Sequence, residues 1–215
     1  AGGVKPPAPP RTKGSKMSDL TIVIPAAGAS SRMRGTDKLL TLIDGVALLR
    51  RTAVLALQAH PSVMITLRDP DTARHQVVQD LALQIVTIPD ATSGLSASLR
   101  RAAAQAVGRL MILPADMPDL TAQDLTLMIQ ASNAAPDALM RATAEDGTLG
   151  HPVIFPADLR AAFATLSGDQ GARPILQAHA ARLHTIALPG HHALTDLDTP
   201  EAWATWTQSR ALSDR

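Results

Sequence analysis

The run Pro25-Ala26-Ala27-Gly28-Ala29-Ser30-Ser31-Arg32-Met33-Arg34-Gly35-Thr36-Asp37-Lys38 concentrates the residue types that hold phosphate. Small residues come first and admit a ligand close to the backbone, whose N–H groups around 27–30 are donors. Three cations follow, Arg32, Arg34 and Lys38. A strand that opens into such a loop is built to cradle phosphates and places a nucleotide at the start of the fold. Lys38 is a point charge suited to neutralising charge that builds on a phosphoryl group. The loop lacks both G-x-x-x-x-G-K-[ST] and G-x-G-x-x-G, so neither a P-loop nor a dinucleotide fingerprint is supported. Spacing alone leaves a second reading open, a strand-to-helix turn whose cations are solvated.

Two aspartate motifs suit a hard cation. In Leu113-Pro114-Ala115-Asp116-Met117-Pro118, Asp116 follows an apolar strand and is placed over the sheet end. Mg²⁺ takes one or two carboxylates together with phosphate oxygens and water. The alternative is an Asp that caps a turn before Pro118. In Asp196-Leu197-Asp198-Thr199-Pro200, alternate residues of an extended segment share a face, so Asp196 and Asp198 can point the same way; the alternative is that one of them caps the helix starting near Pro200. Thr199 is the better-placed helix cap beside Pro200, which leaves Asp198 for a metal.

Three further segments combine small residues with polar readers. Asp90-Ala91-Thr92-Ser93-Gly94-Leu95-Ser96 is a strand-to-helix loop able to hydrogen-bond a base or ribose, or simply to cap the helix. Gly150-His151-Pro152 and Gly168-Asp169-Gln170-Gly171-Ala172-Arg173 lie in the second half, and Arg173 suits an acceptor phosphate. His191-His192 has no nearby ligand set and reads as exposed loop.

The elements that must position these residues alternate. Strands are expected at 21–24, 63–67, 85–88 and 110–113. Helices are expected at 46–59, from Asp71 to about 81, at 95–107, and from a Thr121 cap to about 131. Beyond Pro136 come short strands at 138–142 and 153–155, helices at 156–166 and 171–180, a strand at 183–188, and a last helix opened by Pro200. This order predicts an α/β fold with a mostly parallel sheet covered on both faces. In such sheets ligands bind at the carboxyl ends of the strands.

At 215 residues, 46% of them apolar, the chain can bury one sizeable core. Residues 1–16 hold four prolines, four cations and no acid, and read as a disordered arm or an expression remnant. Residues 17–215 then form a single domain. The arm has no apolar h-region of a signal peptide, and no apolar run approaches the roughly 18–20 residues that span a bilayer, so a cytoplasmic protein without membrane contact is expected. A net charge of +1 and an aromatic content of 2% give no footprint for nucleic acid. The absence of cysteine excludes disulfides, thiolate metal sites and cysteine nucleophiles.

Taken in order, Ala26-Ala27-Gly28-Ala29-Ser30-Ser31-Arg32-Met33 with Lys38, Gly94-Leu95-Ser96-Ala97-Ser98-Leu99, Asp116-Met117-Pro118, Gly150-His151-Pro152-Val153, the 168–173 loop and Asp198-Thr199-Pro200 resemble the motifs of the molybdopterin nucleotidyltransferases. The resemblance runs from about 20 to 207 and is nearest to the molybdenum cofactor cytidylyltransferase branch. It implies a three-layer α/β/α sandwich of the nucleotide-diphospho-sugar transferase type. It also implies Mg²⁺-dependent transfer of CMP from CTP to a phosphate of molybdopterin, with release of pyrophosphate. Carried over by motif, Lys38, Asp116 and Arg32 are catalytic; Ala26, Ala27, Gly28, Lys38, Asp90, Gly94 and Ser96 bind the nucleotide; His151, Asp169 and Arg173 shape the acceptor pocket; Asp116 and Asp198 hold the metal. Ala27 stands where guanylyl enzymes carry Gly, which favours cytidine. A molybdoenzyme or cofactor-delivery protein is the implied partner. The departures are an inserted Arg34, Pro25 for an aliphatic residue and Ala115 for a glycine. Transfer to another phosphorylated acceptor, or nucleotide binding for cofactor delivery without catalysis, are the alternative readings.

Overall fold

The computed structural model describes residues 19–28, 36–89 and 94–213. Its centre is a seven-stranded sheet built from β1 (Leu20–Pro25), β4 (Val63–Arg68), β5 (Gln84–Ile88), β6 (Arg109–Ile112), β7 (Leu139–Thr143), β8 (Leu149–Phe155) and β9 (Leu183–Ala187), in the order β5-β4-β1-β6-β8-β7-β9. β8 runs antiparallel to both of its neighbours, and every other pairing is parallel. Helices cover both faces, giving the expected α/β/α sandwich.

β1 shows why a continuous apolar run becomes a central strand. Leu20, Ile22 and Ile24 enter one core, packed with Leu49, Ala53 and Ala56 of α1 (Leu48–Ala59) and with Leu125 and Met128 of α4 (Ala122–Ala134). Val23 enters a second core with Leu99 and Ala102 of α3 (Leu95–Gln105) and with Phe163. With both faces dry, polar alternation would bury unpaired groups. A third, smaller cluster joins Ile43, Leu48, Leu197 and Trp203, and docks α6 (Pro200–Ser213).

Several boundaries depart from the sequence expectation. The helix expected from Val46 begins at Leu48, because Asp44 (φ 52°) and Gly45 (φ 79°) form a tight turn. That turn pairs β2 (Leu42–Ile43) with β3 (Val46–Ala47), the backbone handedness a two-residue hairpin needs. Asp71 caps α2 (Thr72–Gln76) by accepting from the Arg74 N–H, as expected, but the helix stops well before 81, where the chain turns to bury Val78. Residues Ala157–Thr165 form a 3-10 helix rather than an α-helix, with Pro156 at its N-cap. The helix expected at 171–180 is limited to α5 (Arg173–Ala178). Thr121 caps α4 in a full capping box with Asp124. His192 is not the free loop residue it reads as: its Nδ1 lies 2.9 Å from the buried Asp124 carboxylate.

Candidate active site

The carboxyl ends of β1, β4 and β6 lead into residues 26–28, α2 and the segment that carries Asp116, at one end of the sheet. Asp37 opens the turn that carries Lys38: its Oδ1 accepts from the Leu39 N–H at 3.1 Å and caps the 3-10 segment Lys38–Leu40. Thr52 of α1 donates to the carbonyls of Leu48 and Ala115, tying the loop before Asp116 to the helix. The Leu197 N–H donates to the Asp116 carbonyl at 3.2 Å, which draws the distant 196–198 segment onto the same spot.

These ties bring Lys38, Asp116 and Asp198 together. Lys38 Nζ donates to Asp116 Oδ2 at 2.5 Å and to Asp198 Oδ1. All three side chains are largely sheltered, with 14%, 18% and 23% of their surface exposed. Burial works against the charge of Lys38, but the attraction and hydrogen bonds of the two carboxylates outweigh it and raise its pKa above the ordinary lysine value. The Asp196 carboxyl is pushed up by burial first and then by the charges of Asp198 and Asp116. Thr199 caps α6 through its Oγ1, accepting from the Ala202 N–H, and Asp198 is not the cap; its Oδ1 accepts from Lys38.

The antiparallel course of β8 decides the place of His151. Val153 pairs with Ile112 and Ile154 with Met111, so continuing the register sets His151 beside the segment leading to Asp116. Its pKa is lowered by burial and by Arg141, against the opposing pull of Asp116, and its Nδ1 is buried without a hydrogen-bond partner. Arg141, a residue without any sequence signal, lies on β7 opposite Val153 and donates to the Gly150 carbonyl.

Other expected site residues have different employment. Ser96 is fully buried and its hydroxyl donates to the Ser167 carbonyl, so it holds the 167–169 loop to α3 rather than facing a nucleotide. Asp169 accepts from the Leu95 N–H through Oδ1 and caps α3 in trans, a role within the fold that the sequence reading does not give it. Gly94 (φ 81°) lets that loop approach, since a Cβ there would lie 2.3 Å from Asp169 Oδ1. Arg173 is exposed at the first turn of α5, apart from the Lys38 cluster. Ala26 and Ala27 are buried, and Gly28 is exposed at the mouth of the cradle. Arg32, Arg34 and Asp90 lie outside the described residues.

Residues 22–183 match the model of the MobA-like NTP transferase domain. The chain belongs to this family. As a MobA-like nucleotidyltransferase it is 28% identical over 209 residues to the molybdenum cofactor guanylyltransferase of Serratia proteamaculans strain 568, covering 91% of this chain and 98% of that one. Among solved structures it is similar to Rv0371c of Mycobacterium tuberculosis H37Rv, with a TM-score of 0.78, 25% identity, and coverage of 90% and 100%. The manganese complex of that protein superposes with a TM-score of 0.74 at 23% identity, covering 89% and 100%. Asp198 lies beyond the stretch matched to the MobA-like domain, so its place in the site rests on its contact with Lys38 and on the Leu197 hydrogen bond.

Proposed function

We propose that this MobA-like nucleotidyltransferase moves CMP from CTP to a phosphate of molybdopterin and releases pyrophosphate. The convergence of Lys38 with Asp116 and Asp198, beside a backbone cradle at 26–28, carries the reading. An oxygen of the acceptor phosphate forms a new bond to the α-phosphorus, and the bond from that phosphorus to the bridging oxygen breaks, its electron pair leaving with pyrophosphate. An ionised phosphate is already a nucleophile, so the protein's task is positioning and charge stabilisation. Lys38, held cationic through neutral pH, meets the charge on the phosphates. His151, within the electrostatic reach of Asp116 and Arg141, is the residue we assign to the acceptor side, with Arg173 as a further cation for an acceptor phosphate.

The two carboxylates fit a hard divalent cation. Both are oxygen donors, and they already converge on one positive centre, the Lys38 ammonium. Among the described residues no group of three or more His, Cys, Asp or Glu side chains could hold a metal, so the remaining ligands would come from phosphate oxygens and water, as Mg²⁺ prefers. Such an ion supplies charge neutralisation on the triphosphate when bound. The manganese complex of the mycobacterial protein supports divalent-metal use within this fold.

One observation favours a second base. The curated relative is named a guanylyltransferase, whereas Ala27 occupies the position at which the resemblance sets cytidylyl enzymes apart. Thermal shift with CTP, GTP, ATP and UTP, each with and without Mg²⁺, decides between them, because a ligand of the native state at 100 times its Kd stabilises by about 2.7 kcal/mol. The largest rise with CTP is expected. A larger rise with GTP replaces the cytidylyl reading by the guanylyl one. Pyrophosphate release with molybdopterin then separates catalysis from carriage: binding without turnover would sink the transferase assignment.

A further inference from the structure

Arg74 is a fully buried cation, 1% exposed, that the reaction outlined above does not use. A buried charge is tolerated only when its donors are satisfied, so its partners report what the fold spends it on. Its Nε and Nη2 meet the Asp37 carboxylate side-on at 2.6 and 2.8 Å. Its Nη1 donates to the carbonyls of Ala26 at 2.5 Å and Gly28 at 2.7 Å. Asp71 adds a second carboxylate 3.6 Å from Nε. One guanidinium thus grips the cradle where it leaves β1 and where it reaches Lys38, residues far apart along the loop.

The grip has two consequences for ligand binding. A trans peptide sets the N–H opposite its carbonyl. With the Ala26 carbonyl turned to Arg74, the Ala27 N–H points the other way, and it has no partner among the described residues. The preceding peptide is held as well, since the Ala26 N–H donates to the Thr66 carbonyl at 3.0 Å and hydroxyl at 3.3 Å, so the chain is fixed just before the Ala26–Ala27 peptide that Arg74 holds through its carbonyl. On the other flank, Asp37 is fixed by Arg74 and caps the turn that presents Lys38. Arg74 therefore acts through other groups and, being buried, touches no ligand.

We infer that Arg74 is the positioning residue of the nucleotide cradle: its guanidinium sets the Ala27 amide and the Lys38 ammonium in mutual register for a triphosphate. The inference rests on the nucleotide reading given above. Lysine cannot replace it, because a single ammonium lacks the planar fork that spans a carboxylate and two carbonyls together.

The test compares nucleotide Kd by isothermal titration, with Mg²⁺ and whichever of CTP or GTP the wild type binds. Wild type, Arg74→Lys and the control Arg50→Lys, whose native partners are the exposed Asp80 and the Val77 carbonyl, are measured below their melting midpoints. Arg74→Lys should weaken nucleotide binding about tenfold or more, with KM for nucleotide rising and KM for acceptor unchanged, while Arg50→Lys matches wild type. An Arg74→Lys protein with a lower melting midpoint but unchanged nucleotide Kd would show a merely structural role and overturn the assignment. Where Arg74→Lys does not yield folded protein, Asp37→Asn carries the test from the more exposed side of the same pair, with weakened nucleotide binding expected and unchanged Kd again overturning it. A wild type that binds no nucleotide would instead overturn the nucleotide reading itself.

Discussion

Replacing Lys38 by alanine would remove the ammonium that bridges Asp116 and Asp198, and with it the charge proposed to meet the phosphates. Lys38→Ala and Asp116→Asn are each expected to lower pyrophosphate release by about 10²-fold or more, the usual effect of losing one such stabiliser; near-normal release in either variant contradicts these roles. His151 offers a pH signature. Its pKa lies below the ordinary 6.5, so the folded protein binds this proton more weakly than the unfolded chain does. Stability should therefore hold above pH 6.5 and fall as the pH drops below it. Melting midpoints across about pH 5 to 8 should show this decline, and His151→Gln should flatten it. Lys38 and Asp116 stood out in the sequence because a cation and a carboxylate just after apolar strands are local patterns. Arg74 did not, because an arginine in a short helix has the same local context whether it faces solvent or a buried carboxylate.

Helix ends show where local chemistry suffices. Thr121 and Asp124 answer each other's backbone N–H groups within one turn, so the start of α4 is legible from four residues. Thr121→Ala should cost about 1 kcal/mol, seen as a lower denaturant midpoint with an unchanged m-value. The start of α3 is different. Gly94 reads as part of a ligand loop, yet its positive φ and its closeness to Asp169 and Gly168 serve the docking of a loop far along the chain. Gly94→Ala should cost roughly 1–3 kcal/mol from backbone strain and from the Cβ contact. Urea denaturation monitored by circular dichroism checks it, and an unchanged midpoint would mean that the 167–169 loop yields freely. The same docking claims Ser96 and Asp169, whose small polar side chains are equally at home as caps and as ligand readers.

Across the fold, the site depends on how the last helix is anchored. Trp203 packs with Ile43, Leu48 and Leu197, and Leu197 lies between Asp196 and Asp198. Trp203→Ala should destabilise by about 3–5 kcal/mol and also loosen Asp198, so the nucleotide binding proposed to use Mg²⁺ on Asp198 should weaken even in the folded protein. Isothermal titration below the melting midpoint separates the two effects. No described helix is long and apolar enough to cross a membrane. The alternation of strands and helices, the apolar run of β1, the capping residues and the ordered motifs around Lys38, Asp116 and Asp198 were readable along the chain, because periodicity, caps and strand-end loops are written within a few neighbouring residues. The reversed course of β8 that brings His151 to the strand ends, the union of Asp116 with Asp198 around Lys38, and the burial of Arg74 across both flanks of the cradle were settled only by packing. Each joins residues tens of positions apart, and no local pattern encodes which distant partner will satisfy a buried charge or hydrogen-bonding group.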